Sequence, residues 1–401
     1  MATLLKSLKH KQKKHAELLA KVEKAAAMLD RRKVKLSALE SAIADVERRI
    51  AQPRTSRSEK GEISPGPRRA QLIFNPASGR DESNNALRLS QIVRSLRAHG
   101  IEAAIGLKTS GKAARTLARD AVRNGLPLVI VAAGDGTIED VASQLIGTDV
   151  VLGLVPMGTM NNVARSLGVP LEIDAACALI GMGTTRHIDL GRVHTNQNPH
   201  DEYFLECAGV GLSAIGALAG QAVEKRRWRT LPRALKRFFQ AKLGTMKIEL
   251  DDTVIEAATR MVTVSNAPLM GNNMLAAPGA KMDDGFLDVS VYDGMGDPAL
   301  VAHFLAASSH TPDDLMIYRA KKLRITTEAP VLANSGMSIS SEMDVVDIEI
   351  VPAALTMIVG NGIGLTIPVE GAPVAPPFAP DPHTGSDTTA DEAVASTPTH
   401  A

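Results

Sequence analysis

Residues 129–137 read Val129-Ile130-Val131-Ala132-Ala133-Gly134-Asp135-Gly136-Thr137, an apolar run of strand length that ends in a glycine turn. The pattern recurs about twenty residues on, where Val151-Leu152-Gly153-Leu154-Val155-Pro156 runs into Met157-Gly158-Thr159-Met160-Asn161-Asn162. Glycines let a backbone approach a ligand closely and take positive φ, and N–H groups at a following helix start point at anionic oxygens. Two such turns, each feeding a helix-like segment, suit a polyphosphate held between two loops. Taken singly, either turn would read as an ordinary strand-to-helix connection.

Working outward, the pair sits in an alternating pattern. Ala70 to Phe74 reads as a short strand, followed by Asn75-Pro76-Ala77-Ser78-Gly79. A helix is expected over 83–98, a strand over 101–107, a helix over 111–124 and a strand over 127–133. This rhythm predicts an α/β domain over 70–185 whose parallel sheet binds its ligand at the carboxyl ends of the strands. Beyond it the texture turns to strands, as in Met246 to Leu250, Met261 to Val264, Leu287 to Val291 and Val346 to Val351. We therefore expect a β-rich, sandwich-like domain over 186–367, whose last strand could return to the first domain near 352–366.

The flanks have a different character. Residues 1–50 carry a heptad seam through Leu8, Val22, Leu29, Leu36, Ile43 and Ile50, with no Gly or Pro inside, and predict a coiled-coil helix and a homodimer. Lys11, His15 and Arg32 interrupt the seam, so a single charged helix lying on its own domain is the competing reading. Lysines 6, 9, 11, 13 and 14 beside Leu4, Leu5 and Leu8 suit an anionic lipid surface or a merely solvated helix start. Residues 51–69 read as a linker, and the Pro-, Ala-, Thr- and Asp-rich stretch 368–401 has little to bury and is expected to be disordered.

A net charge of +1 argues against a protein that coats nucleic acid along its surface, and no nucleic-acid partner is expected. Cys177 and Cys207, without CxxC spacing, argue against a disulfide framework or a zinc site and fit a cytoplasmic setting. Lysines from Lys6 onward break any signal-peptide core, and the apolar runs are too short for a membrane span.

Four motifs in order carry a family likeness: Asn75-Pro76-x-Ser78-Gly79; Gly134-Asp135-Gly136-Thr137; Gly158-Thr159-x-Asn161-Asn162-x-Ala164-Arg165; and Ala277-Pro278-x-Ala280-x-Met282-Asp283-Asp284-Gly285-x-Leu287-Asp288. Together they resemble the diacylglycerol kinase catalytic-domain family, which includes bacterial lipid kinases and sphingosine and ceramide kinases, over residues 70–362. The resemblance implies ATP and Mg²⁺, transfer of phosphate to the hydroxyl of a membrane lipid, and a cleft between a nucleotide-binding α/β domain and a β-rich lipid-binding domain. It would place Asn75, Ser78 and Thr109 near the nucleotide, and wrap Gly134, Gly136 and Thr137 around the phosphates. Asp135 would lie by the phosphates and the metal, Gly158 and Thr159 would form the second wall, and Asn162 would lie in the nucleotide site near the phosphates. Asp284 would be the main side-chain ligand of a structural metal, where an ordinary β-turn is the alternative. Chemistry supports Asp135 independently: a carboxylate beside phosphate is costly unless a metal or proton lies between.

The sequence departs from the family pattern in several places. Ala133 replaces the first glycine of Gly-Gly-Asp-Gly-Thr, Glu139-Asp140 stand where Asn-Glu is usual, and Asn162 replaces an aspartate. More seriously, the Asp-Gly-Glu whose aspartate acts as general base is missing ahead of Pro352-Ala353-Ala354-Leu355. Two registers remain open, Ser335-Gly336-Met337 and Ser340-Ser341-Glu342, and both put serine at the base position. A serine hydroxyl is no useful base at neutral pH, which leaves Glu342 or Asp344 as substitutes, or a hydroxyl activated by metal and alignment alone.

Residues 224–242 interleave Arg226, Arg227, Trp228 and Arg229 with further basic and aromatic residues, a composition suited to an anionic membrane surface. The same residues could form a helix packed on its own core, or contact nucleic acid. The leading expectation is a lipid kinase peripheral to the inner face of the membrane. The alternative is a catalytically impaired lipid- or nucleotide-binding protein that recruits a partner through its coiled coil. An NAD kinase shares the Gly-Asp-Gly-Thr turn, but the other motifs argue against it.

Overall fold

The computed structural model describes residues 68–79, 84–182, 184–195, 198–213, 244–271, 274–293, 315–336 and 338–360. The expected coiled coil, the membrane-contact segment with Arg226, Arg227, Trp228 and Arg229, and the tail from 368 lie outside the described residues.

The first half alternates as its sequence rhythm requires. Its elements are β1 (Arg68–Phe74), α1 (Asn85–Ala98), β2 (Ile101–Leu107), α2 (Gly111–Arg123), β3 (Leu128–Ala133), α3 (Asp135–Ala142), β4 (Val151–Pro156), α4 (Asn162–Ser166) and α5 (Ile173–Met182). β1 starts at Arg68, two residues inside the expected linker. The reason is pairing: Arg68 and Arg69 sit opposite Ile101 and Glu102 of β2. Arg68 also donates from Nη2 to the carbonyls of Ile180 (3.1 Å) and Gly181 (2.7 Å) near the end of α5, where a cation suits the exposed carbonyls.

The four strands are parallel in the order β4-β3-β1-β2. β3 is buried at all six positions, as expected of a central parallel strand covered on both faces, and its sequence is apolar throughout for that reason. Chain order reverses at β1, whose neighbours are β2 and β3. In open α/β sheets ligands bind at such a reversal, outside the carboxyl ends of the strands. Asn75, Lys108, Gly134 and Met157 each follow directly on one of those ends.

The second half contains β5 (Thr185–Thr195), β6 (Asn198–Phe204), β7 (Cys207–Gly211), β8 (Gly244–Leu250), β9 (Thr253–Ser265), β10 (Leu269–Met270), β11 (Met274–Leu275), β12 (Leu287–Asp293), β13 (Met316–Ala320), β14 (Lys322–Ser335) and β15 (Ser338–Ile358). β7 and β8 each pair with both β9 and β14, closing a ring of four strands around a core that includes Val210, Ile248, Val264, Val289 and Ile325. A second core holds the parallel strands and their helices and also takes in Leu205 and Met282. Cys177 and Cys207 are buried and free.

β15, 21 residues long, joins the halves. It runs antiparallel to β14 and β5, then sets Thr356 and Met357 parallel to Val151 and Leu152 of β4. The register shifts between Val351 and Leu355, and Ala353 takes a φ of 50°. The kink is held by Asp189, which is only 3% exposed. One carboxylate oxygen of Asp189 accepts from the Ala353 N–H (2.7 Å), the other from the Gly285 N–H (2.7 Å). A buried carboxylate is tolerable when its charge is met by hydrogen bonds. Asp189 thus ties the Asp-Asp-Gly turn to the Pro-x-Ala-Leu segment.

Candidate active site

The two glycine turns touch. A Cβ on Gly134 would meet the Gly158 Cα at 3.1 Å, and one on Gly158 would meet the Gly134 Cα at 2.7 Å and Asn161 Oδ1 at 2.8 Å. Neither position tolerates a side chain without moving backbone. Asn161 maintains the second turn: it adopts a left-handed conformation (φ 54°), accepts the Gly158 N–H through Oδ1 (2.8 Å) and donates from Nδ2 to the Gly158 carbonyl (3.1 Å). Asparagine is among the few residues that visit this conformation readily.

Gly134 opens α3 without a side-chain cap, and an uncapped helix start favours an anion. Around it stand the residues of the first motif. The Asn75 backbone N–H donates to the Ala132 carbonyl (3.0 Å), and its side-chain amide lies 3.4 Å from Thr137 Oγ1. Ser78 is buried and donates its N–H to the Asn75 carbonyl (3.1 Å). Gly136 lies in the first turn of α3, and Thr159 is half-buried beside Gly158. Thr109 is exposed between Lys108 and Ser110, the residue that caps α2.

Lys108, which sequence reading passed over, brings a positive charge to this edge. Its Nζ donates to Thr137 Oγ1 (2.7 Å) and lies 3.5 Å from Asp140, which also pairs with Arg115 (2.7 Å). Its position immediately after β2, at the same edge as the glycine turns, is the only local signal that would have found it.

The Asp135 carboxylate spans the two loops. It accepts N–H bonds from Asn162 (3.2 Å) and Val163 (3.3 Å) at the start of α4. The aspartate of the first glycine turn therefore fixes the segment after the second. Asn162 is only 2% exposed and donates from Nδ2 to Glu206 Oε2 (3.1 Å) and to the Gly271 carbonyl (2.9 Å). An aspartate at 162 would bring two carboxylates into contact, so Asn162 and Glu206 form a matched pair. The negative charge absent at 162 is present at 206, on the neighbouring segment.

Ser335 pairs with Ser338, which makes Gly336 part of the turn of the β14–β15 hairpin. That turn reaches the α/β half: a Cβ on Gly336 would meet both Glu139 carboxylate oxygens at 2.3 Å. Of the two registers left open, the Ser335 turn is the one brought against α3. Glu342 and Asp344 lie farther along β15, opposite and near Leu332 of β14, and both are exposed on either side of buried Met343. Alternation along a strand puts the two on one face, away from the core.

The Asp-Asp-Gly turn is met by arginines. Asp283 pairs with Arg186 (2.8 Å), and Asp284 Oδ2 pairs closely with Arg319, while its Oδ1 accepts the Phe286 N–H (3.1 Å). The Arg319 guanidinium also lies over the Phe286 ring, 4.5 Å from its centroid. Burial pushes the Asp284 carboxyl up, with Arg319 and the Phe286 N–H opposing. Asp288, next along β12, is raised to about 7 by burial, against the pull of Arg319 and with a push from Asp284. With the Arg319 guanidinium paired to Asp284, this turn already holds a positive charge and fits a divalent ion poorly. The glycine cradle is different: Asp135, Lys108 and the buried, unpartnered Asn162 Oδ1 fit a phosphate–cation pair. Among the described residues, no three His, Cys, Asp or Glu side chains are grouped to hold a metal by themselves.

Residues 69–193 match the model of the diacylglycerol kinase catalytic domain, and residues 210–359 match that of the YegS C-terminal NAD kinase beta sandwich-like domain. A Pseudomonas aeruginosa protein named "Probable lipid kinase YegS-like" is 30% identical over 218 residues, covering 53% of this chain and 69% of its own. The chain belongs to the diacylglycerol kinase catalytic-domain family. A Bacillus subtilis diacylglycerol kinase is 27% identical over 284 residues, or 67% of this chain and 88% of its own. The crystal structure of a diacylglycerol kinase from Bacillus anthracis superimposes with a TM-score of 0.58 at 24% identity, covering 73% of this chain and 97% of that one. The fold is therefore the family's mixed α/β, strand-rich one. No helix among the described residues is long and apolar enough to cross a membrane.

Proposed function

We propose that the protein is a lipid kinase that transfers the γ-phosphate of ATP, with Mg²⁺, to the hydroxyl of a diacylglycerol- or sphingoid-like membrane lipid. The observation that carries this reading is the Gly134–Gly158 contact, with Asp135 joining the two loops and Lys108 on Thr137 beside them. Phosphoryl transfer needs charge neutralisation and alignment more than covalent work from the protein. Lys108 and the start of α3 would neutralise phosphate oxygens, Asp135 would hold the metal, and Asn75, Ser78, Thr137, Thr159 and Asn162 would line the cradle. Held there by Asp135, magnesium would supply charge neutralisation for the phosphoryl transfer. Family membership and relatives named diacylglycerol kinase support the acceptor class.

Arg226, Arg227, Trp228 and Arg229 would bring the site to an anionic membrane surface on the cytoplasmic side, and residues 1–50 would join two copies. The second reading, a lipid- or nucleotide-binding protein without transfer, is favoured by one observation, the serine at position 335. Incubation with γ-labelled ATP, Mg²⁺ and, separately, diacylglycerol, sphingosine and an isoprenoid alcohol distinguishes the two. Solvent-extractable label with one of them supports the kinase and names its acceptor. ATP binding with no labelled lipid in any arm supports the binder.

A further inference from the structure

Glu139 follows Asp135 by four residues on α3, so the two side chains leave the same helix face one turn apart. Asp135 engages the start of α4, whereas Glu139 reaches the β-rich half. Its carboxylate accepts the Leu205 N–H (3.4 Å) and fills the space beside the Gly336 Cα. That glycine, with a φ of 50°, donates its N–H to the Cys207 carbonyl (2.9 Å). Ser335, just before it, is 2% exposed, and its Oγ has no hydrogen-bond partner. A buried hydroxyl left without a partner is the kind of group that a bound polar ligand satisfies. The Cys207 thiol is pushed well above its ordinary range by burial, then by the Glu206 and Glu139 carboxylates, which places both charges around this turn.

The hairpin turn thus arrives at the phosphate edge carrying serine in place of a carboxylate, and a carboxylate from α3 stands against it. Glu139 occupies a position where the family pattern has asparagine. We infer that Glu139 is the general base of the phosphoryl transfer, supplied from the helix after the first glycine turn because the hairpin does not supply one. This assignment rests on the lipid-kinase reading. In the step, the proton of the acceptor lipid's hydroxyl moves to a Glu139 carboxylate oxygen, and the hydroxyl oxygen bonds to the γ-phosphorus of ATP. The bond from that phosphorus to the β,γ-bridging oxygen breaks, its electron pair stays on ADP, and Glu139 then releases its proton to water.

A purely structural Glu139, needed only to accept the Leu205 N–H, is the reading to exclude. Glu139→Gln separates the two, since the amide oxygen still accepts that N–H but is no base. The test uses the full chain with ATP, Mg²⁺ and diacylglycerol in mixed micelles, alongside calorimetric ATP binding. The expected result is a kcat lowered about 10²–10⁴-fold with ATP affinity within about threefold, and loss of the acidic limb of the pH–rate profile. Ser335→Asp added to Glu139→Gln, returning a carboxylate to the hairpin, is expected to recover about tenfold or more of the rate. Should Gln at 139 prevent folding, Glu139→Ala with added formate replaces it: a restored rate supports the assignment and an unrestored one overturns it. Activity within about threefold of wild type with the acidic limb intact overturns it too, as does a loss of ATP binding that accounts for the whole effect. In both cases the wild type still transfers phosphate, so the lipid-kinase reading stands. A wild type that binds ATP and labels no lipid overturns that reading, and this assignment with it.

Discussion

Gly134 and Gly158 meet Cα to Cα across the two glycine turns, with so little room that a methyl group on Gly158 would lie 2.7 Å from the opposing Cα. Gly158→Ala should therefore push the loops apart. We expect ATP affinity to fall about tenfold or more, with about 1–3 kcal/mol of stability lost to overpacking. Titration calorimetry and thermal melts of the variant check this. Unchanged ATP affinity would mean that the contact does not shape the nucleotide site.

Asp288 makes stability depend on pH. Its carboxyl is raised to about 7 by burial, so between the unfolded value near 4 and about 7 the folded state binds more protons than the unfolded one. Stability from this group is therefore complete below the unfolded value and is lost as pH rises through about 7, by an amount on the order of 4 kcal/mol. Asp288→Asn should flatten that slope and be the more stable protein at pH ~8. Urea melts of both proteins from pH ~4 to ~8 measure it; parallel curves would show that Asp288 titrates normally.

Arg319 holds the Asp-Asp-Gly turn by charge. Its guanidinium pairs with Asp284 and covers Phe286, so Arg319→Ala should destabilise the fold by about 1–3 kcal/mol, leaving two raised carboxyls without their counter-charge. Because an arginine takes this role, adding a chelator should leave the wild-type melting temperature where it is. A drop of several degrees with chelator, reversed by Mg²⁺, would instead place a structural metal at Asp284.

What the sequence disclosed was local. The strand before Gly134, the turns and the alternation through β4 follow from apolar runs and glycines a few residues apart, and these also put the glycine turns at the carboxyl ends of the parallel strands. The contacts that complete the site join residues far apart in the chain. Asn162 meets Glu206 44 positions on, Asp284 meets Arg319 35 positions on, and Asp189 meets Ala353 across 164. No periodicity reports such partners. Hence the Asp-Asp-Gly turn was legible as a turn, but not its pairing with Arg319. Likewise the missing carboxylates at 162 and at a base position of either 335 or 340 were legible as departures, but not that Glu206 stands beside Asn162 and Glu139 beside the Ser335 turn. β1 began earlier than its flanking prolines suggested because pairing with Ile101 and Glu102 outweighs local composition.

The proposed activity is transfer of phosphate to a lipid at the two glycine loops that Asp135 joins. Its most direct test is the rate of label transfer from γ-labelled ATP to the preferred lipid, for wild type and Asp135→Asn. Asparagine removes the charge and keeps one of the two oxygens, so it can still accept either the Asn162 or the Val163 N–H. The account predicts a folded variant whose transfer rate falls by about 10³-fold or more, well beyond the rate loss that weakened ATP binding explains. Transfer by the variant at a rate near wild type would contradict the account, since the loops would then work without the one carboxylate that joins them.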